Sequence, residues 1–194
     1  MASAESVSTK DAGFTIIEVL VALLLVAIMS AGVAELFTLS IRSTSAARNQ
    51  TSTATAAAQK LEQLRALTWG FDDSGTGLPV SDTTTDLSVQ PATTSGNGLN
   101  PSPDGTLETN TPGYVDYLDS AGQWMGTGAT PPAGAVYIRR WSIKPLPTNP
   151  NNTLILQVLV TTVRREMQAA ALGGTRRRMA DDSLVATVKT RKAK

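Results

Sequence analysis

The chain has 194 residues and a net charge of +1, a length that accommodates one domain of ordinary size and an additional anchor. It contains no cysteine and no histidine. A catalytic thiol, a disulfide framework and every histidine-based metal, triad or acid–base site are therefore excluded.

An apolar segment lies close to the N-terminus, and neither a charged residue nor a proline occurs between Glu18 and Glu35. Together with the apolar residues on either side, this segment approaches the ~20 residues that cross a bilayer. Glu18 lies inside it, where a carboxylate is costly unless something pairs with it. An acid at this position predicts a functional role, whereas a side chain that merely reaches back to the membrane interface would need none.

The motif at the start of this segment resembles the processing site of type IV prepilins and of the related pseudopilins of type II secretion. It reads Gly13-Phe14-Thr15-Ile16-Ile17-Glu18-Val19-Leu20-Val21-Ala22-Leu23. The resemblance implies a leader over residues 1–13, cleavage between Gly13 and Phe14 by prepilin peptidase, and N-methylation of Phe14. It also implies that Glu18 pairs with the new amine of an adjacent pilin during filament assembly.

A secretory signal peptide is the competing interpretation of the N-terminus. Its cleavage site would have to lie at Ser30-Ala31-Gly32, after the apolar region. The helical pattern continues beyond that point without a break, and a cut there would leave Glu18 without a role. We therefore expect the apolar helix to remain in the mature protein.

The helical pattern continues from Ser40 to Leu67, where alanine, threonine, serine and glutamine dominate and neither glycine nor proline occurs. Apolar residues recur there at three-, four- and seven-residue steps and predict one buried stripe. Its members are Ala47, Ala54, Ala57, Leu61 and Leu64, whereas Lys60, Glu62 and Arg65 are predicted to lie off it. The helix is thus expected to comprise a membrane or filament-core part over residues 14–39 and an amphipathic part over residues 40–69.

A globular head is predicted over residues 70–194, beginning with a long loop over residues 70–112. One short strand is expected in that loop, near Leu87-Ser88-Val89. Some pseudopilins bind calcium through loop carboxylates, but Asp116 and Asp119 lack the dense oxygen spacing of such a site. We expect no metal site and no cofactor.

Strands are predicted near residues 114–125, 135–143, 153–163 and 183–190 from their alternation and β-branched content. The run over residues 153–163 is the most apolar and is predicted to be central. Short connections favour an antiparallel meander whose one face covers the helix stripe. The expected fold is α+β, with a long N-terminal helix on a small antiparallel sheet, like the α/β roll of pilins. The pattern of Tyr137, Arg139, Trp141 and Ile143 also resembles a strand of minor pilins.

Charge is distributed unevenly, because residues 69–134 hold eight acidic and no basic residues, whereas residues 135–194 hold twelve basic and three acidic ones. Five arginines of the second region form a candidate anion- or DNA-binding patch. They are Arg164, Arg165, Arg176, Arg177 and Arg178. A solvated loop, or a contact with the acidic region of a neighbouring molecule, is the alternative interpretation.

The sequence therefore predicts a minor pilin that takes part in type IV pilus assembly, with possible roles in adhesion, twitching motility or DNA uptake. It would be a single-pass protein of the bacterial inner membrane, with its leader cytoplasmic and its head periplasmic, before it joins other pilins in a filament. A type II secretion pseudopilin and a membrane-tethered binding module that does not polymerise remain alternatives. No motif indicates an enzyme.

Overall fold

The structure is a computed structural model that describes residues 13–171 and 181–191. The chain divides into two compact units, an N-terminal unit over Met1–Ser45 and a C-terminal unit over Ala46–Lys194. The elements in chain order are α1 (Ile16–Ala66), β1 (Trp69–Phe71), β2 (Pro79–Ser81), β3 (Val115–Leu118), β4 (Trp124–Thr127), β5 (Tyr137–Pro145), β6 (Thr153–Thr162), α2 (Val163–Ala171) and β7 (Ser183–Thr190). A long apolar helix and antiparallel sheets confirm the predicted α+β class.

The part of α1 in the N-terminal unit contains no proline, and leucine, alanine and other strong helix formers make up about half of it. It begins one residue after Thr15, and every described residue of this unit is exposed. No described residue of this segment is therefore buried.

The part of α1 in the C-terminal unit packs on the sheet through a face that differs from the predicted stripe. Thr53, Ala56, Ala57, Lys60, Leu61 and Leu64 are its buried residues. Ala47 and Ala54 are exposed instead, and Lys60 is buried although the sequence placed it off the stripe. The prediction was wrong at Ala47 and Ala54 because an alanine side chain buries too little area to decide which face of a helix packs inward. It was wrong at Lys60 because the amine of this residue forms an ion pair with the buried carboxylate of Asp116.

The main sheet has five strands in the order β4-β3-β5-β6-β7, and every neighbouring pair is antiparallel. β5 is therefore the middle strand, although the sequence favoured the more apolar β6. Side chains of β5 alternate between two cores. Tyr137, Trp141 and Ile143 face the larger core with α1, whereas Ile138 packs with Val115 and Tyr117 on the other face. Burial on both faces explains why β5 is central despite its two arginines.

The long segment after α1 contains a small hairpin, in which β1 pairs with β2. The strand expected near Leu87 is absent, and only an isolated bridge between Asp86 and Thr93 occurs there. Side chains form hydrogen bonds with the backbone N–H and C=O groups that such a strand would use to pair with a neighbour. The Leu87 carbonyl accepts from Lys60, the Ser88 N–H donates to Asp86, and the Ser88 carbonyl accepts from Trp124. With those groups satisfied, the segment has no ladder to join.

Candidate functional site

The N-terminal motif lies at the first turn of α1. Thr15 caps the helix, because its carbonyl accepts from Glu18 N–H at 3.1 Å and its hydroxyl accepts from the same N–H at 3.4 Å. A threonine followed three residues later by a glutamate is the pattern of a capping box. The Glu18 carboxylate is thereby held in the first helical turn, where the helix dipole favours negative charge.

Glycine at position 13 is not required by the fold. A Cβ built on Gly13 would have no heavy atom within 4 Å, and its backbone does not adopt a positive φ. Neither packing nor backbone conformation therefore explains this glycine. Recognition by another protein, such as a peptidase that requires a small residue at its cleavage site, would explain it.

The apolar residues that follow the motif are exposed throughout the N-terminal unit. Phe14 and Ile16 are each 81% exposed, and most of the exposed side chains from Val19 to Ile41 are apolar. Among the described residues, α1 is the one helix that is long and apolar enough to cross a membrane. A surface of this extent on a soluble monomer marks a contact with lipid or protein.

The C-terminal unit contains a buried charge cluster of Lys60, Asp116 and Arg139. The Asp116 carboxylate accepts from Arg139 Nε and Nη2, each at 2.8 Å, and from Lys60 Nζ at 2.8 Å. The three side chains are at most 2% exposed. β3 and β5 place Asp116 directly opposite Arg139, and Lys60 is contributed by α1, which packs on this face of the sheet. Two parallel hydrogen bonds from one guanidinium to one carboxylate are among the strong charge-assisted hydrogen bonds in proteins.

Lys60 is the member of this cluster whose pKa burial shifts most clearly. Burial lowers its pKa to about 8, although the Asp116 carboxylate opposes that shift and Arg139 adds to it. Its Nζ also donates to the Leu87 carbonyl at 2.6 Å and lies 4.5 Å from the centre of the Trp141 ring. The ammonium thus has two oxygen acceptors, Asp116 and Leu87, and an aromatic ring close by. The cluster is built to hold α1, the sheet and the long loop together.

Arg140 forms a second buried pair on the opposite face of the sheet. Its Nη1 donates to Glu166 of α2 at 2.8 Å, and its Nε and Nη2 donate to the Asn110 side chain at 2.9 and 2.6 Å. Consecutive arginines of β5 therefore anchor different layers. Arg139 holds the layer of α1, and Arg140 holds α2 and the loop around Asn110.

A cleft of about 470 Å³ opens beside the cluster. Lys60, Asp116 and Trp124 contribute polar groups to its lining, and Leu87, Val89 and Pro91 contribute apolar side chains. No buried polar side-chain atom among the described residues lacks a hydrogen-bond partner. The lining of the cleft therefore offers no buried, unsatisfied side-chain group that would indicate a bound ligand.

The predicted arginine patch is described at two of its five positions. Arg164 is exposed on α2, and Arg165 donates to Asp181 at 2.5 Å. Arg176, Arg177 and Arg178 lie outside the described residues, so the patch stays a prediction. Among the described residues, no group of three acidic side chains is arranged to hold a metal ion. Asp116 is committed to two cations, and Asp119 accepts the backbone N–H groups of a turn.

Comparison with known proteins bears on the N-terminal motif. Residues 8–34 match the family model described as the prokaryotic N-terminal methylation motif. No curated protein and no solved structure matches the chain significantly.

The match confirms the resemblance that the sequence suggested, because this motif is the signature of type IV pilin-like prepilins. The motif implies processing by prepilin peptidase and assembly with other pilins, and proteins that carry it are structural rather than catalytic. Together with the exposed apolar helix, it supports anchoring in a membrane. Gly13, Phe14 and Glu18 lie within the matched residues, and the roles assigned to them stay predictions. The buried cluster was not predicted from the sequence. The available signal was the spacing of Lys60, which follows Ala57 by three residues and precedes Leu64 by four.

Proposed function

We propose that the chain is a minor pilin, a structural subunit that enters a type IV pilus through α1. One observation carries the proposal: a prepilin methylation motif leads directly into an apolar helix that is exposed on all sides. Such a helix needs lipid before assembly and sister helices after it, because either medium removes its apolar surface from water.

Cleavage between Gly13 and Phe14 would create an ammonium about one helical turn, or ~6 Å, from Glu18. A carboxylate inside the apolar segment is costly when it is alone and tolerable when a cation meets it. The amine of an adjacent pilin, with its methyl group, is the cation that we assign to Glu18. Misaligned subunits would leave this acid unmatched and would be disfavoured.

The choice of a minor pilin over a type II secretion pseudopilin rests on the sequence pattern in β5. Tyr137, Arg139, Trp141 and Ile143 point to one face of the sheet, where Arg139 holds Asp116 and Trp141 lies under Lys60. The pattern that resembles minor pilins is thus the one that attaches the sheet to the helix. We place the leader in the cytoplasm and the C-terminal unit in the periplasm before assembly.

Mass spectrometry of the protein from its native membrane tests the proposal most directly. The mature chain should begin at Phe14 and be heavier than its sequence by one methyl group. A protein that keeps residues 1–13, or one that loses α1, would refute the proposal. Loss of pilus function on deletion of the gene supports a minor pilin, whereas loss of protein secretion with intact pili supports a pseudopilin.

Three variants separate processing from assembly. Gly13→Val should abolish cleavage, although the structure has room for the side chain, whereas Gly32→Ala in the same open surroundings should be cleaved normally. Glu18→Ala should be processed yet be recovered poorly in sheared filaments. A Glu18→Ala protein that assembles as well as wild type would show that the acid has no role in packing.

A further inference from the structure

The hairpin of β1 and β2, residues 69–81, is the smaller of the two sheets in the described chain. Its strands pair over only three residues each. In its turn, the Asp72 N–H donates to the Leu78 carbonyl and the Asp72 carboxylate accepts from the Leu78 N–H, each at 2.9 Å. A two-stranded hairpin is at best marginally stable in water on its own. The order of this segment, hereafter called the flap, therefore depends on what attaches it to its surroundings.

Two side chains form the hydrogen bonds that attach the flap to described residues outside it. Arg191 Nη1 donates to the carbonyl of Gly70 in β1 at 2.7 Å and to that of Val80 in β2 at 2.9 Å. Trp69 packs against the larger core, and its Nε1 donates to the Asn152 carbonyl at 3.3 Å, which is long for a hydrogen bond. Arg191 is therefore the side chain that bonds to both strands of the flap.

Arg191 is anchored at the same time to the turn that precedes β6. It lies directly after β7, where its N–H donates to the Asn152 carbonyl at 2.8 Å and its Nε donates to the Asn151 carbonyl at 3.0 Å. Its guanidinium carbon lies 3.6 Å from the centre of the Trp69 ring. Stacking on a ring, combined with donation from two nitrogens of one plane, suits a guanidinium, whereas a lysine ammonium has no such plane.

We propose that the flap opens as a unit while the main sheet stays folded, and that Arg191 is the latch that keeps the flap closed. Because one side chain bonds to both strands, its release would detach both strands together. The base of the flap limits the opening, since the Asp82 N–H donates to the Thr68 carbonyl at 2.9 Å and the Asp82 carbonyl accepts from the Leu99 N–H at 2.7 Å. Arg191 and the flap both belong to the C-terminal unit, so the inference does not depend on the minor-pilin proposal.

Opening would change the surface that the C-terminal unit presents. In the closed flap, Leu78 is 62% exposed and Val80 is 40% exposed, whereas Trp69 and Phe71 are half-buried. Release of Arg191 would uncover the face of the Trp69 ring that the guanidinium covers, and would add aromatic surface to a hairpin that already exposes apolar side chains. Segments that bind partners are drawn from the parts of a protein with low local stability. A partner that binds the open flap better than the closed one would shift the equilibrium toward opening.

Hydrogen exchange of the full chain in detergent micelles, measured at several low urea concentrations, tests whether the flap opens separately. Amides of the flap should exchange through an opening whose free energy changes little with urea, because a local opening exposes little surface. Amides of β6 should exchange more slowly and through an opening that urea promotes strongly. If both sets of amides exchange through the same urea-dependent opening, the flap is not a separate unit and the inference is wrong.

Substitution of Arg191 tests the latch in the same experiment. Arg191→Ala should accelerate exchange of the flap amides about tenfold or more, because hydrogen bonds from a charged donor to two carbonyls are lost. The β6 amides should remain better protected than those of the flap. Arg191→Lys should accelerate exchange of the flap nearly as much, since an ammonium keeps the charge but does not reproduce the planar guanidinium. Unchanged exchange of the flap in Arg191→Ala would overturn the inference.

Arg65→Ala is the matched control, because it removes another arginine near the C-terminal end of α1. Arg65 Nη1 pairs with the Glu62 carboxylate at 2.8 Å, and the Arg65 side chain is 54% exposed. Exchange of the flap should stay at the wild-type rate in this variant, and an acceleration equal to that of Arg191→Ala would also count against the latch. A flap that stays closed in Arg191→Lys would show that charge alone holds it, which contradicts the role given to the guanidinium plane.

Discussion

Asp116 in the C-terminal unit is about 1% exposed and has two cations within 2.8 Å, whereas Glu18, Glu35 and Arg42 in the N-terminal unit are exposed and form no ion pair with a described residue. The apolar residues show the reverse relation. Leu64 is completely buried in the C-terminal unit, and Leu24 is 60% exposed in the N-terminal unit. The same helix, α1, contributes to both patterns.

The buried residues of the C-terminal unit stabilise the fold, whereas the exposed apolar residues of the N-terminal unit are available for contact with lipid or another molecule. A unit that buries its charges in matched pairs and its leucines in a core is complete as a folded body. A unit with exposed leucines and unmatched charges is incomplete until lipid or another molecule covers it. Substitutions in the first unit should therefore change stability, and substitutions in the second should change assembly.

The largest loss of stability is expected for Asp116→Asn. Removing the one carboxylate strands two buried cations, so we expect the free energy of unfolding to fall by about 3–5 kcal/mol. Urea denaturation of the full chain in detergent micelles measures this loss. Asp104→Asn is the control, because that side chain is 98% exposed in its pair with Lys144 and should change stability little. Equal losses in the two variants would contradict the structural role of the cluster.

A matched pair of leucine substitutions probes the contrast within α1 itself. Leu64→Ala removes a fully buried side chain and should lower the free energy of unfolding by about 2–5 kcal/mol. Leu24→Ala should leave the unfolding of the C-terminal unit unchanged, because Leu24 makes no contribution to that core. The same urea experiment compares them. A loss of stability for Leu24→Ala as large as that for Leu64→Ala would show that the two parts of α1 are not distinct.

Lys60→Met should have a small effect at pH 7 and a distinctive pH dependence. The variant keeps the matched Asp116–Arg139 pair, so loss of the amine's hydrogen bonds is offset by removal of a buried cation. In wild type, the pKa of Lys60 is about 8 when folded and 10.5 when unfolded. Between these values the unfolded state binds more protons, so wild-type stability rises with pH.

The difference in stability between wild type and Lys60→Met should therefore shift in favour of wild type from pH 8 to pH 10.5. The shift is at most about 3.5 kcal/mol, since one pKa unit corresponds to ~1.4 kcal/mol. Denaturation at several pH values measures it, and groups common to both proteins cancel in the difference. A difference that stays flat over this range would show that folding does not lower the pKa of Lys60.

The smallest effect is expected at the C-terminal end of α1. Lys189 Nζ donates to the carbonyl of Arg65, in the last turn of the helix, and to that of Leu67, which follows the helix. Lys189→Ala should lower the free energy of unfolding by about 0.5–1 kcal/mol, because a favourable charge near the helix end is lost. Lys189→Arg should retain most of that stability. The thermal midpoint of the full chain in micelles compares the two variants.

Local patterns in the sequence were sufficient to predict the α+β class and the N-terminal motif. The apolar run after Glu18 and the alternation in the later strands are properties of neighbouring residues, so they can be seen without a structure. The prediction of β6 as the central strand failed because apolar content is a poor guide when arginines are buried in pairs. Arg139 and Arg140 satisfy their charges through residues 23 and 26 positions away.

The buried cluster illustrates what a sequence pattern leaves undecided. Lys60 has the spacing of a buried residue, but lysine is almost never buried without a partner, and its partner lies on a strand far along the chain. The strand expected near Leu87 failed for the same reason. Its backbone groups are taken by Lys60, Asp86 and Trp124, and only the tertiary fold brings Lys60 and Trp124 there.

The adjacency of Arg139 and Arg140 has a consequence for strand alignment. If β5 slid by one residue against β3, Arg140 would stand opposite Asp116 and would replace Arg139 as its guanidinium partner. The charge of Asp116 alone would therefore accept either alignment. The same slip would expel the indole of Trp141, now 1% exposed, from beside Tyr114. The packing of this ring therefore discriminates between two alignments in which Asp116 still faces a guanidinium.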